Sequence, residues 1–156
     1  MKQKWLSLTD SYVIRNEMNQ EVYQVVGELF TLGHRLSFQD MAGNEFAQIR
    51  QKLLSWGPTY ELYHAEQLIA VIKKQLFTFF NCRFTVDVEG PDDLEASGDF
   101  LDHEYTFTRG GTQIARVSKQ WFTWTDTYGV DIADGQNDGL ILASAVVIDL
   151  CCHDRN

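Results

Sequence analysis

Proline is nearly missing from this chain: Pro58 and Pro91 are the only two in 156 residues. Long elements can therefore run without the ladder breaks that proline imposes, and no Pro-, Gly- or Ser-rich linker divides the sequence. One domain over residues 1–156 is expected. Also lacking is the apolar run of a signal peptide between Met1 and Asp10, and no stretch reaches the ~20 apolar residues that a spanning helix needs. Both absences predict a soluble protein, and the cysteine usage suits a reducing cytoplasm. Cysteine is scarce, with three residues, two of them the neighbours Cys151 and Cys152, which pair with each other only through a strained ring. A disulfide framework is excluded. Basic residues are short as well. Thirteen Lys and Arg against 22 Asp and Glu give a formal charge of −9, the wrong sign for the footprint that nucleic acid requires.

What the chain has in quantity is apolar and aromatic side chain, 44% and 13% of residues, enough to bury a core and too much for a disordered segment. Much of it alternates with polar residues. Phe84, Val86 and Val88 take turns with Thr85, Asp87 and Glu89, and Tyr105 and Phe107 with Thr106 and Thr108, the pattern of half-buried strands. Turn-like clusters at Asn16 to Gln20, Asp40 to Asn44, His64 to Gln67 and Arg109 to Thr112 read as hairpins.

A repeat runs over this alternation. Lys4-Trp5-Leu6-Ser7-Leu8 followed by Tyr12 recurs as Lys52-Leu53-Leu54-Ser55-Trp56 with Tyr60. It returns as Gln75-Leu76-Phe77-Thr78-Phe79 with Phe84, and as Gln120-Trp121-Phe122-Thr123-Trp124 with Tyr128. In the last three copies Ile49, Ile72 and Val117 stand three positions before the Lys or Gln. Each copy falls where one strand ends and the next begins, as in a meandering sheet that turns the same corner repeatedly. Ten to twelve such strands must close into a barrel or split into a sandwich, because bare edges invite aggregation. The aromatic corners Phe77 to Phe80 and Trp121 to Trp124 read first as packing, with a membrane-interface belt as the other reading.

Leu140 to Cys152 breaks the pattern, with Ser144 and Asp149 its only polar residues. A helix with Asn137 or Asp138 as N-cap is expected, with a buried β-strand as the competing reading. Apolar nearly all round and too short to span a bilayer, such a helix must be enclosed by protein. The inside of the barrel is the place for it.

Four stretches carry a family resemblance: Leu36-Ser37-Phe38-Gln39-Asp40-Met41-Ala42-Gly43-Asn44-Glu45; Lys52-Leu53-Leu54-Ser55-Trp56-Gly57-Pro58-Thr59-Tyr60; Cys82-Arg83-Phe84-Thr85-Val86; and the apolar C-terminal segment. Together they resemble the LURP-one-related family over essentially the whole chain, in its small bacterial form. That family is similar in fold to the C-terminal domain of tubby proteins and to phospholipid scramblases. The resemblance implies a mainly β fold, a closed antiparallel barrel of about twelve strands enclosing a hydrophobic C-terminal helix at about residues 138–152. It also implies relatives that bind phosphoinositide head groups or move lipids, but no family motif for lipid can be placed on this sequence residue by residue.

Several constellations bear on function. Lys2, Lys4, Arg50, Lys52, Lys73, Lys74, Arg116 and Lys119 lie at or just before the repeat. Of these, Lys52, Lys73, Lys74, Arg116 and Lys119 are the candidate ligands for an anionic group, against the plain reading that they are the polar half of alternating strands. Residues 87–104 hold eight acids and no Lys or Arg, leaving 14 acids against 13 bases elsewhere. The spacing fits no EF-hand loop, so a solvated acidic hairpin is expected rather than a calcium site. Cys151, Cys152 and His153 close the helix, with Cys82 and His103 elsewhere, and adjacent cysteines do not chelate one zinc easily. No metal site is expected. Asp149, buried, must pair with an inward Arg or Lys or with Tyr hydroxyls, or line a polar pocket at one barrel end.

No phosphate loop, nucleophile elbow or zinc-protease helix is present, so no catalytic residues and no cofactor are assigned. The expectation is a non-enzymatic binding domain for an anionic phospholipid or membrane surface at the cytoplasmic face, or for a protein partner. The alternative is a structural or protein-interaction module without a small ligand.

Overall fold

The computed structural model describes residues 2–7, 11–27, 35–76, 82–90, 93–119 and 127–153, with backbone alone at 2–7, 11, 12, 76 and 127. Twelve strands precede one helix: β1 (Lys2–Ser7), β2 (Ser11–Arg15), β3 (Glu21–Gly27), β4 (Arg35–Asp40), β5 (Glu45–Gln51), β6 (Thr59–His64), β7 (Gln67–Leu76), β8 (Cys82–Val88), β9 (Leu94–Asp99), β10 (Glu104–Arg109), β11 (Thr112–Ser118), β12 (Thr127–Ile132) and α1 (Asp138–His153). The expectation of a mainly β, antiparallel chain with one C-terminal helix is met. Each strand pairs with its neighbours in sequence, and β1 pairs with β12 as well as with β2, so the order of neighbours is β1-β12-β11-β10-β9-β8-β7-β6-β5-β4-β3-β2.

The alternation seen in the sequence decides which face is inside. Phe38, Ile49, Leu62, Ile72, Phe84, Val86, Phe107 and Val130, drawn from seven of the strands, are all within 1% of complete burial, while most of their sequence neighbours are less buried. The inward set meets α1, of which every residue from Gly139 to Leu150 is buried. The helix was expected at 138–152 and ends one residue later. Asn137 is its N-cap: Oδ1 accepts the N–H of Leu140 at 3.1 Å. Ser144 is satisfied inside the helix by donating to the Leu140 carbonyl at 2.8 Å.

Because every strand reverses the one before it, the connections alternate between two ends. At one end lie the turns β2–β3, β4–β5, β6–β7 and β10–β11, which are the four hairpins expected from turn residues. Asn16 N–H bonds the Gln20 carbonyl at 2.9 Å. Asp40 takes the N–H groups of Ala42 and Asn44 and the Asn44 side-chain amide, and that side-chain bond, with the backbone ones, holds its carboxyl below the usual value. At the other end lie the connections β1–β2, β3–β4, β5–β6, β7–β8, β9–β10 and β11–β12. The copy of the repeat at Lys52 to Trp56 falls here. The repeat's trailing residues Tyr60, Phe84 and Tyr128 open β6, β8 and β12 as buried side chains, and its leading residues Ile49, Ile72 and Val117 are buried near the ends of β5, β7 and β11. Leu8, Phe77 to Phe80 and Trp121 to Trp124 lie outside the described residues.

The acidic run is not one hairpin. Asp87 is on β8, Asp93 in the β8–β9 turn, Glu95 and Asp99 on β9, Asp102 in the β9–β10 loop and Glu104 on β10. These acids serve local ends: Asp93 accepts the Val88 N–H at 3.0 Å, and Asp99 the N–H groups of Leu101 and Asp102 at 3.1 Å each.

Gly98 is the tightest backbone contact in the sheet. At φ +141, a Cβ there would stand 2.5 Å from the Glu104 carbonyl oxygen and 2.7 Å from Tyr105 Cα. Gly98→Ala is therefore expected to destabilise by roughly 2–4 kcal/mol, since both strain and a backbone clash must be relieved. Gly111→Ala, with open space at its Cβ, should cost less. Urea unfolding of the two variants checks the order, and equal stabilities would contradict it.

Candidate functional site

The helix runs from the short-turn end to the long-loop end, so its last turn emerges among the β9–β10 loop, the end of β7 and the start of β8. Phe100 and His103 in that loop are buried, while Leu101 and Asp102 between them are exposed. The loop achieves this with Asp99 capping its first two amides and with His103 in the left-handed region at φ 54. Phe100 packs on Phe84 and Tyr105, both at 4.9 Å between centroids.

His103 meets the helix at Asp149. Its Nε2 lies 2.7 Å from Asp149 Oδ1, and its ring stacks on His153 at 4.2 Å with 9° between planes and on Tyr128 at 4.5 Å. His153, one helical turn beyond Asp149, places Nδ1 3.0 Å from the same carboxylate oxygen, and its Nε2 reaches the Leu101 carbonyl at 3.1 Å. Asp149 was expected to pair with an inward Arg or Lys or with Tyr hydroxyls; its partners are two histidines. The reason is reach. Lys74, whose charge acts on the cysteines of the helix end, turns toward Phe84, with Nζ 5.8 Å from that ring. Tyr105 stands beside the cluster: burial first, then the Asp149 charge, pushes its hydroxyl well above the ordinary value, and its oxygen has no hydrogen-bond partner.

The cysteines behave as apolar residues. Burial raises the Cys151 thiol to about 12 and the Cys152 thiol to about 11, although the Lys74 ammonium pulls both down. All three cysteines are free, and Cys82, expected to lie elsewhere, is close enough to Cys152 for the two to interact electrostatically.

The five basic candidates are placed as follows. Lys52 pairs with Glu61 at 3.4 Å, Lys73 with Asp87 at 2.7 Å and Arg116 with Glu104 at 3.6 Å. Lys73 and Lys74 take opposite faces of β7, as their parity requires. Lys74, half-buried and inward, and Lys119, exposed at the end of β11, have no acidic partner among the described residues. The same holds for two residues that the repeat did not single out, Arg35 at the start of β4 and Arg83 at the start of β8. The side chains of Lys2 and Lys4 lie outside the described set. The β4–β8 side of the long-loop end thus gathers Arg35, Lys74 and Arg83, and in its middle the β5–β6 connection exposes Leu53, Leu54 and Trp56, at 59, 94 and 106%. Leu101, 66% exposed, adds to this end from the β9–β10 loop. The large exposed apolar residues at the other end, Met18, Met41 and Leu68, stand singly at three different hairpins.

Family comparison bears on the same residues. The LURP-one-related family model matches residues 1–149. The chain belongs to the LURP-one-related family. A similar protein from Bacillus subtilis (strain 168), "Uncharacterized protein YxjI", is 31% identical over 154 residues, covering 99% of this chain and 93% of that one. A solved structure, a protein from Arabidopsis thaliana (AT5G01750), superposes with a TM-score of 0.69 over 94% of this chain and 88% of that one at 14% identity, which is likeness of fold. The LURP-one-related match ends at Asp149, so His153 lies just beyond it. No signal in the sequence joined His103 to the helix. The spacing of Asp149 and His153, four apart on a helix, was the legible half.

The raised thiols give this LURP-one-related protein a pH dependence. Their folded values lie above the ordinary 9.0, so the unfolded chain loses these protons first. The stability they contribute is whole below about pH 9 and is lost as pH rises toward 11 and 12; Tyr105, raised from 10.0, acts in the same direction. Urea unfolding followed from about pH 8 to about pH 10.5 should show stability falling above pH 9, less steeply in Cys151→Ala/Cys152→Ala. A flat profile in the parent protein would contradict the buried thiols.

Proposed function

We propose that this LURP-one-related protein is a non-enzymatic, tubby-like binding module that docks on anionic phospholipid at the cytoplasmic face of a membrane through its long-loop end. The observation that carries the reading is that Leu53, Leu54 and Trp56, exposed, share one side of one end with the exposed cations Arg35 and Arg83. Apolar tips set among cations suit a surface that is charged outside and apolar beneath. Each Lys or Arg near an anionic bilayer contributes about 1 kcal/mol, and apolar side chains entering the interface add roughly 25 cal/mol per Å² removed from water. Two exposed cations and three apolar side chains suffice for reversible, salt-sensitive attachment, not for anchoring. Asp99, Asp102 and Glu104 on the β9–β10 side would be repelled, which tilts the docked molecule toward β4–β8.

In this reading the sheet is a sealed barrel. The support for that is the pairing of β1 with both β2 and β12 together with the burial of the whole middle of α1. Among the described residues no helix is long and apolar enough to cross a membrane, which leaves the loops to make the contact.

Co-sedimentation with vesicles tests the reading. Vesicles with phosphatidylserine should bind the protein at low salt, phosphatidylcholine alone should not, and binding should weaken steeply as salt rises. Leu54→Asp/Trp56→Ala should reduce binding at least tenfold, and Met18→Asp at the opposite end should leave it unchanged. Absence of binding at low salt would sink the lipid reading and leave the same apolar end to a protein partner.

A further inference from the structure

The cluster at the helix end has a donor problem that a proton or a metal ion solves. His153 Nε2 faces the Leu101 carbonyl oxygen, which only accepts, so this nitrogen carries the ring proton. Its Nδ1 then bears a lone pair. That lone pair lies 3.0 Å from Asp149 Oδ1, itself an acceptor, and two lone pairs facing each other at that distance require a cation between them or beside them. His103 Nε2 converges on the same oxygen, and the three ligand atoms all lie within 4.8 Å of one another. A proton on His153 alone would also meet this need, since His103 as a neutral ring donates from Nε2 to the same oxygen; the observation that favours a metal ion is the convergence of the three ligand atoms themselves.

We propose that His103, Asp149 and His153 form a binding site for a divalent first-row transition ion of the zinc class. Two imidazole nitrogens and a carboxylate oxygen suit zinc and its neighbours, and argue against magnesium or calcium, which prefer oxygen alone. The arrangement has the outer contact expected of a metal-bound histidine. A ligating imidazole donates its other N–H to a carboxylate or backbone carbonyl, which fixes tautomer and ring direction; His153 does this to Leu101, whereas Nδ1 of His103 is buried without a protein partner. Burial of Asp149 and His103, at 2 and 4% exposure, keeps water from competing, and the half-exposed His153 side chain leaves an entry. The left-handed backbone at His103 is the conformation that turns its ring into the cluster. A fourth position falls to water, or to the unpartnered Tyr105 hydroxyl. For Nε2 of His103 to ligate, the ring has to carry its one proton on Nδ1, and any proton beyond one per ring leaves to solvent on binding. This site revises the expectation, drawn from the sequence, that no metal is bound, and it stands independently of the lipid reading.

Full-length protein stripped with chelator and titrated with zinc tests the proposal. One ion per chain should bind with a dissociation constant on the order of micromolar or tighter, and the midpoint of thermal unfolding should rise by several degrees. His153→Ala, at a side chain already partly exposed, should fold and lose affinity at least tenfold, while Cys151→Ser/Cys152→Ser should retain it. Cobalt in the parent protein gives a readout that needs no variant: visible d–d bands without the thiolate charge-transfer band. Absence of saturable binding up to millimolar zinc, full affinity in His153→Ala, or a cobalt–thiolate band would each overturn the site.

Discussion

An α-helix without a polar face has to be enclosed, and that constraint organises this molecule. Thirteen of the sixteen residues of α1 are buried, so the helix has no independent existence in water. It gives the sheet a core that no strand pair has alone. The sheet answers by turning one side chain in two inward along each strand, from Ile14 on β2 to Ile132 on β12. The enclosure also sets the two ends apart. One end receives the helix start and has short turns; the other receives its last turn, beside the β9–β10 loop.

The only charged group that travels inside with the helix is Asp149, and the long-loop end is built around it. A buried carboxylate without partners costs several kcal/mol, and the structure meets that cost with two imidazoles rather than with an ammonium. One comes from the helix, one turn on; the other needs a loop that hides Phe100 and His103 while exposing Leu101 and Asp102. This concentrates buried polar chemistry and exposed apolar tips within one end, and the two need not serve the same purpose. The buried cluster faces inward to the helix. The tips face outward, beside cations whose charge no acid among the described residues offsets.

Period-two alternation made the strands legible, because a half-buried strand has little freedom in which residues turn inward. Turn residues marked the four tight hairpins for the same local reason. The repeat was legible as a corner, and Tyr60, Phe84 and Tyr128 show why: each opens a strand as a buried ring. The site was less legible. Selecting cations by the repeat found Lys74 and Lys119 but also Lys52, Lys73 and Arg116, which acids on neighbouring strands neutralise; strand register, invisible in one sequence, decides that. Arg35 and Arg83 were passed over because they stand outside the repeat. His103 and Asp149, 46 residues apart, meet only because β9, β10 and the helix end share one end of the sheet.

The central claim is that one end of this LURP-one-related fold is the working face. Amide hydrogen exchange with and without vesicles containing phosphatidylserine tests it most directly. The account predicts added protection in the β5–β6 connection around Leu53 to Gly57, with the turns at Asn16 to Gln20 and Asp40 to Asn44 unchanged. Protection at those short turns, or spread evenly over both ends, would contradict it.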